Sequence, residues 1–202
     1  MSSATKDKPS VKDLFSRSEA DVCSLLGGIY EHSAWVADEL IKNDCSKFET
    51  VTELAAAMKA IVDGSSQERK MELLRAHPDL CEKVGKLEEL TEASQEEQGR
   101  AGLQSLTSEE LERFTTCNSE YRDKFGFPFI LAVRNATKFT VLSALEGRVL
   151  NPVETEFAQA IVQVHKIAWM RILSAIDTED AKGFLTCHVL DTAGGCPGKG
   201  IS

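Results

Sequence analysis

The run NPVETEFAQAIVQVHKIAWMRILSAI, from Asn151 to Ile176, decides the fold. Phe157, Ile161, Val164, Ala168 and Ile172 recur in it at helical spacing, as on one face of an α-helix. Pro152 suits a helix start, where a missing N–H costs nothing. The run therefore predicts the longest helix of the chain, with one buried stripe. Arg171 lies beside that stripe. The residues alone leave it open to a surface ion pair, a buried or outward-snorkelling stem, or a bidentate grip on a carboxylate. His165 reads as a helix-surface residue.

Outward from this helix the same helix signals repeat. Ser10 stands before VKDLF, and Ser18 with Asp21 opens a second helix. There Leu25, Leu26, Ile29 and Tyr30 are spaced for one buried face. Gly27-Gly28 follows at a cost of roughly 1 kcal/mol per glycine, so it marks close packing or a break. His32 reads as a capping or hydrogen-bonding residue at that junction. Thr50 with Glu53 opens a helix that places Leu54, Met58, Ile61 and Val62 inward, and Asp63-Gly64 stops it. Ser66 opens QERKMELLRAH. Pro78 ends that helix and leaves His77 non-helical at the mouth of a turn. Thr107 with Glu110 opens a longer helix that runs to about Gly126. On it Asn118 is the polar member of an apolar face, buried with a partner or lining a site. Thr137 opens another helix, with Phe139, Val141 and Leu142 apolar.

One stretch departs from this pattern. FGFPFILAVRN, from Phe125 to Asn135, is a dense apolar run with a proline and little helical period. It fits a buried strand, a buried connector, or an extended segment whose backbone lines a pocket. Elsewhere no alternating runs occur. The fold class expected is all-α: a single compact domain of roughly eight helices with an irregular C-terminal tail. MSSATKDKPS opens a polar stretch, and residues 1–12 are expected to form a disordered tail ahead of a domain spanning 13–180.

Composition narrows the partners. Among 202 residues, 32 Asp+Glu outweigh 23 Lys+Arg for a net charge of −9, which argues against nucleic acid as the main partner. No apolar run approaches a membrane span. The six cysteines form no CxxC pair, which argues against zinc, and they read as reduced thiols of an intracellular protein. The chain ends in Gly-Ile-Ser, which is not a peroxisomal Ser-Lys-Leu signal.

The chemistry-bearing residues gather in two stretches, RAHPDL (Arg75 to Leu80) and SQEEQGRAGL (Ser94 to Leu103). His77 falls at the end of one helix and Glu97 near the start of the next. An imidazole and a carboxylate at neighbouring helix ends can serve as an acid/base pair around a small anion. Ser94 with Glu97 is also a capping box, and His77 can equally be structural.

With these residues in view, the sequence resembles the 2-oxo-4-hydroxy-4-carboxy-5-ureidoimidazoline (OHCU) decarboxylases of urate degradation, over roughly Leu14 to Ile176. The resemblance is carried by LLGGIYEHSAWVA, AHPDL, SQEEQGRAGL, NSEYRDKFGFPFILAVR and KIAWMRIL, in that order. It implies cofactor-free and metal-free decarboxylation to (S)-allantoin and CO2 by an all-helical homodimer. It places the catalytic histidine on His77 and its acidic partner on Glu97. Substrate contacts fall on Pro78, on Ser94, Gln95, Glu96 and Gln98, on Phe129, Ile130, Leu131, Ala132 and Val133, and on Arg171. After HPDL the chain reads CEKVGK, a departure from the expected alanine-glycine-lysine. The alternative is a non-catalytic helical scaffold or binding module that keeps the family fold.

The last stretch, residues 183–202, contains CHVLDTAGGCPG and resembles the opening strand of 5-hydroxyisourate hydrolase, a transthyretin-like fold. His188 falls on a catalytic histidine there, but the rest of such a domain is missing, so no hydrolase activity is expected. The resemblance implies a natural fusion that contains this hydrolase. It places the protein in the peroxisome or, alternatively, the cytoplasm.

Overall fold

The structure, a computed structural model, describes residues 8–43, 48–80, 105–134 and 136–178, with the backbone of 190–191 and 196–197. Eight helices lie among these residues: α1 (Val11–Phe15), α2 (Glu19–Leu26), α3 (Trp35–Lys42), α4 (Val51–Gly64), α5 (Gln67–Arg75), α6 (Ser108–Phe125), α7 (Lys138–Arg148) and α8 (Val153–Ala175). Six begin at a Ser or Thr whose hydroxyl accepts the N–H three residues on: Ser10, Ser18, Thr50, Ser66, Thr107 and Thr137. Thr50/Glu53 and Thr107/Glu110 close full capping boxes, each satisfying two N–H groups that the helix start would otherwise leave unpaired.

The stops are as local as the starts. α2 ends before Gly27, where a Cβ would lie 2.7 Å from the Cys23 carbonyl oxygen. Close packing and a break coincide there. α5 ends at Arg75, and His77 lies beyond its last turn. Gly126 ends α6 at φ 74, a left-handed geometry that any side chain would strain.

The helix from Val153 to Ala175 lies against α4, α5 and α6. Ala160, Ile161, Val164, Ile167, Ala168 and Ile172 are buried along it. So are Leu54, Met58, Leu73, Leu74, Phe114 and Tyr121 from the helices it meets. Each large aliphatic side chain so buried contributes about 1.5–3 kcal/mol. Three polar residues of α8 are buried too: Glu156, Gln163 and Arg171. Their spacing of seven and eight keeps them in one sector of the helix, and each holds another part of the chain.

Several expectations are corrected. Order begins before residue 13: Pro9 and Val11 are buried, and the Asp177 N–H donates to the Pro9 carbonyl at 2.9 Å. His165 is not a free surface residue, because Tyr30 and Asp63 flank its ring. The all-α class stands as expected; the described residues of the C-terminal tail form one two-residue antiparallel pair, Leu190 opposite Pro197 and Asp191 opposite Cys196. Ser94 to Gln98, the CEKVGK loop and His188 lie outside the described residues.

Candidate active site

The extended stretch after α6 is a buried, non-strand segment in which Phe127, Phe129, Ile130 and Val133 are nearly inaccessible. It pairs with no sheet, so side chains satisfy its backbone. Arg148 Nη1 donates to the Ile130 carbonyl at 2.7 Å, and the Ala132 N–H donates to Gln163 Oε1 at 3.1 Å. Arg148 is in turn held by Glu156, which also accepts from the Tyr121 hydroxyl and from Asn151. Two backbone groups nominated for substrate recognition are therefore engaged by the fold. Leu131 and Ala132 are the half-exposed members of the segment.

His77 is 7% exposed and sits just past α5. Its Nδ1 lies 2.9 Å from the Leu73 carbonyl oxygen. A carbonyl only accepts, so Nδ1 carries the proton and, on a neutral ring, Nε2 keeps its lone pair. Burial pushes the His77 pKa down to about 4, overcoming the Leu73 hydrogen bond and the nearby Glu31 carboxylate. Arg171 and His32 add to the downward push. The ring is therefore neutral at pH 7.

Two residues on, Asp79 is buried, and both of its carboxylate oxygens accept from Asn118 Nδ2, at 2.9 and 3.1 Å. Arg122 Nη1 stands 3.3 Å from the same carboxylate. α6 thus stakes the turn that carries His77 and Pro78. Asn118 Oδ1 is buried and has no hydrogen-bond partner among the described residues.

Arg171 is buried, and its partner was not foreseen. Its Nη1 lies 2.5 Å from Glu31 Oε2, in the turn between α2 and α3. The surface ion pair considered from sequence is instead a buried one. Glu31 and Asp79 were missed because each meets its partner far along the chain. Their only local signal is a carboxylate inside an apolar stretch, GGIYEHSAW for one and HPDL for the other.

A separate cleft of 330 Å³ runs between α4 and α8, lined mainly by Tyr30, Ala55, Ala56, Ala168, Trp169 and Ile172. None of the nominated residues lines it. Chemistry, not size, therefore marks the candidate site as the His77 end of α5 with Arg171 and Glu31. Among the described residues no cluster could hold a metal ion.

An all-helical domain whose central helix directs buried polar groups to one segment and one ion pair is the class defined here. The chain belongs to the OHCU decarboxylase family, whose sequence profile matches residues 16–173. An OHCU decarboxylase of Haloferax volcanii is 42% identical over 153 residues, 76% of this chain and 88% of that protein. A uric acid degradation bifunctional protein of Bacillus sp. TB-90 is 36% identical over 178 residues, 88% of this chain and 34% of that one. A crystal structure of (S)-allantoin synthase matches with TM-score 0.76 and 58% identity over 93% of this chain, which spans 62% of that chain's length. An OHCU decarboxylase solved in the presence of (S)-allantoin shares the fold, with TM-score 0.58 at 22% identity, covering 78% of this chain and 97% of that one. Among the described residues no helix is long and apolar enough to cross a membrane.

Proposed function

We propose that this protein decarboxylates 2-oxo-4-hydroxy-4-carboxy-5-ureidoimidazoline to (S)-allantoin and CO2 in urate degradation, without a cofactor. The observation that carries the reading is a buried His77 whose Nδ1 is tied to the Leu73 carbonyl, in the electrostatic field of Arg171 and Glu31. The substrate's carboxylate and hydroxyl share one ring carbon beside an imine carbon. When CO2 leaves, the electron pair of the broken C–C bond moves toward the imine. His77 Nε2 takes the hydroxyl proton as that oxygen becomes a carbonyl, and returns a proton to the adjacent carbon. One further proton from solvent goes to the imine nitrogen that received the electron pair, which balances the charge of the lost carboxylate.

Glu97 is the acidic partner that orients His77 or presses on the departing carboxylate. Arg171 grips a carboxylate or carbonyl. Pro78, Ser94, Gln95, Glu96, Gln98 and the Phe129–Val133 segment shape the rest of the pocket. The bifunctional relatives support a further reading, in which this chain is the decarboxylase part of a fusion with a hydrolase that supplies the preceding step. A homodimer and a peroxisomal setting belong to the same reading.

The test is circular dichroism of freshly generated substrate with and without the protein. Rapid appearance of one allantoin enantiomer supports the decarboxylase. Decay identical to the protein-free control supports a scaffold that keeps only the fold.

A further inference from the structure

Glu31 is a buried carboxylate with no role in the resemblance, yet it holds the arginine of the candidate site. It is 2% exposed, with Oε2 at 2.5 Å from Arg171 Nη1 and Oε1 at 3.7 Å from His32 Nε2. The same Arg171 nitrogen lies 3.4 Å from the Gly28 carbonyl oxygen. The turn delivers Glu31 inward by unusual means. Gly27 permits a close backbone approach at its start, and His32, at φ 47, is the one non-glycine residue with positive φ among the described residues. Such a backbone costs free energy and persists where the surroundings enforce it. Next to Glu31, the Tyr30 hydroxyl is tied to His165 on α8, the helix that carries Arg171.

A site that only had to capture an anion would gain nothing from neutralising its arginine. A carboxylate fixed against the guanidinium weakens ground-state grip on an anionic substrate while holding the arginine in one orientation. Among the described residues, the charged and titratable groups whose field reaches His77 are Glu31, Arg171 and His32, so the same carboxylate also contributes to the field at the imidazole. We propose that Glu31 is a positioning residue for decarboxylation: it orients Arg171 and offsets its charge beside His77, so that the arginine directs the substrate without overbinding its carboxylate. This rests on the decarboxylase reading above.

The experiment compares the wild-type chain with Glu31→Gln and Glu31→Asp. Turnover is measured per folded molecule, and the His77 ring is titrated by NMR without substrate. Glu31→Gln is expected to lower kcat by about 100-fold, the scale of an ångström of misplacement, while KM stays level or falls. Its His77 midpoint moves below the wild-type one, because a charge that favours protonation is gone. Glu31→Asp restores the charge, and with it the His77 midpoint, but recovers kcat only in part because its reach is shorter.

Wild-type kcat and KM in folded Glu31→Gln would overturn the proposal, as would a loss that tracks only the folded fraction. Should Glu31→Gln fail to fold, wild-type kcat in Glu31→Asp overturns it equally. A wild-type chain without turnover sinks the decarboxylase reading instead. An unmoved His77 midpoint in Glu31→Gln would still reject Glu31's part in the field.

Discussion

Arg148 Nη1 donates to the carbonyl oxygen of Ile130 at 2.7 Å, while Nε of the same guanidinium donates to Glu156 Oε1 at 2.9 Å. One side chain therefore joins α7, the start of α8 and the extended segment. Glu156 is fully buried and Arg148 nearly so. Arg148→Met leaves a buried carboxylate without its cation, which costs about 3–5 kcal/mol. Adding Glu156→Leu removes that stranded charge and recovers most of the loss, because well-packed apolar residues replace buried pairs at little cost. Urea unfolding of the two variants checks this. Equal losses in the single and double variants would show that the pair itself carries the energy.

His77 couples folding to pH. Its folded pKa of about 4 lies below the ordinary histidine value of 6.5, because burial disfavours the imidazolium. Between those values the unfolded chain binds a proton that the native chain refuses. The sign follows: this group's contribution is fully present above pH 6.5 and is lost as pH falls toward 4. The span corresponds to about 3 kcal/mol. Unfolding free energies of wild type and His77→Gln should therefore converge or cross as pH drops from 7 to 4. Parallel curves would mean that His77 titrates as a solvated histidine.

What was legible in the sequence was the local grammar. Caps at Thr50/Glu53 and Thr107/Glu110 act within three residues, so the helix starts could be read directly. The stop at Gly126 and the non-helical His77 follow from single-residue backbone rules. Contacts that join distant residues were not legible. Arg171 meets Glu31 across 140 positions of chain, and nothing beside either residue announces the other. His165 looked solvent-facing because its helical neighbours are mixed, yet it closes a Tyr30–His165–Asp63 chain. The apolar run after α6 announced burial. It could not announce that Arg148 and Gln163 would hold its backbone in place of a sheet.

The Tyr30 hydroxyl lies 3.0 Å from His165 Nδ1, and His165 Nε2 lies 3.0 Å from Asp63 Oδ1. Burial pushes the His165 pKa down against the pull of Asp63. A neutral ring satisfies both neighbours when Nε2–H donates to Asp63 and Nδ1 accepts from Tyr30. His165→Phe keeps the volume but leaves the Tyr30 hydroxyl buried without its acceptor, at about 1–3 kcal/mol. Tyr30→Phe in the same background should restore much of that, and a double-mutant cycle by denaturant unfolding isolates the coupling. Strict additivity would show that the hydroxyl finds another partner.

Catalysis should depend on pH in a way set by the His77 tautomer. If Nε2 starts unprotonated, kcat/KM stays level from pH 8 down to about 5 and falls only as the imidazole protonates near 4. A histidine that had to begin protonated would give the opposite slope, with kcat/KM dropping about tenfold per pH unit across the same range. His77→Gln should lower kcat by about 10²–10⁴-fold, the usual worth of general acid/base help, and abolish the acid limb. Arg171→Ala should raise KM more than it lowers kcat if the guanidinium grips the ground state. Its buried neighbour Glu31 then loses its cation, so turnover must again be taken per folded molecule. Wild-type kcat in folded His77→Gln would remove this imidazole from the chemistry, and an unchanged KM in Arg171→Ala would remove the guanidinium from substrate binding.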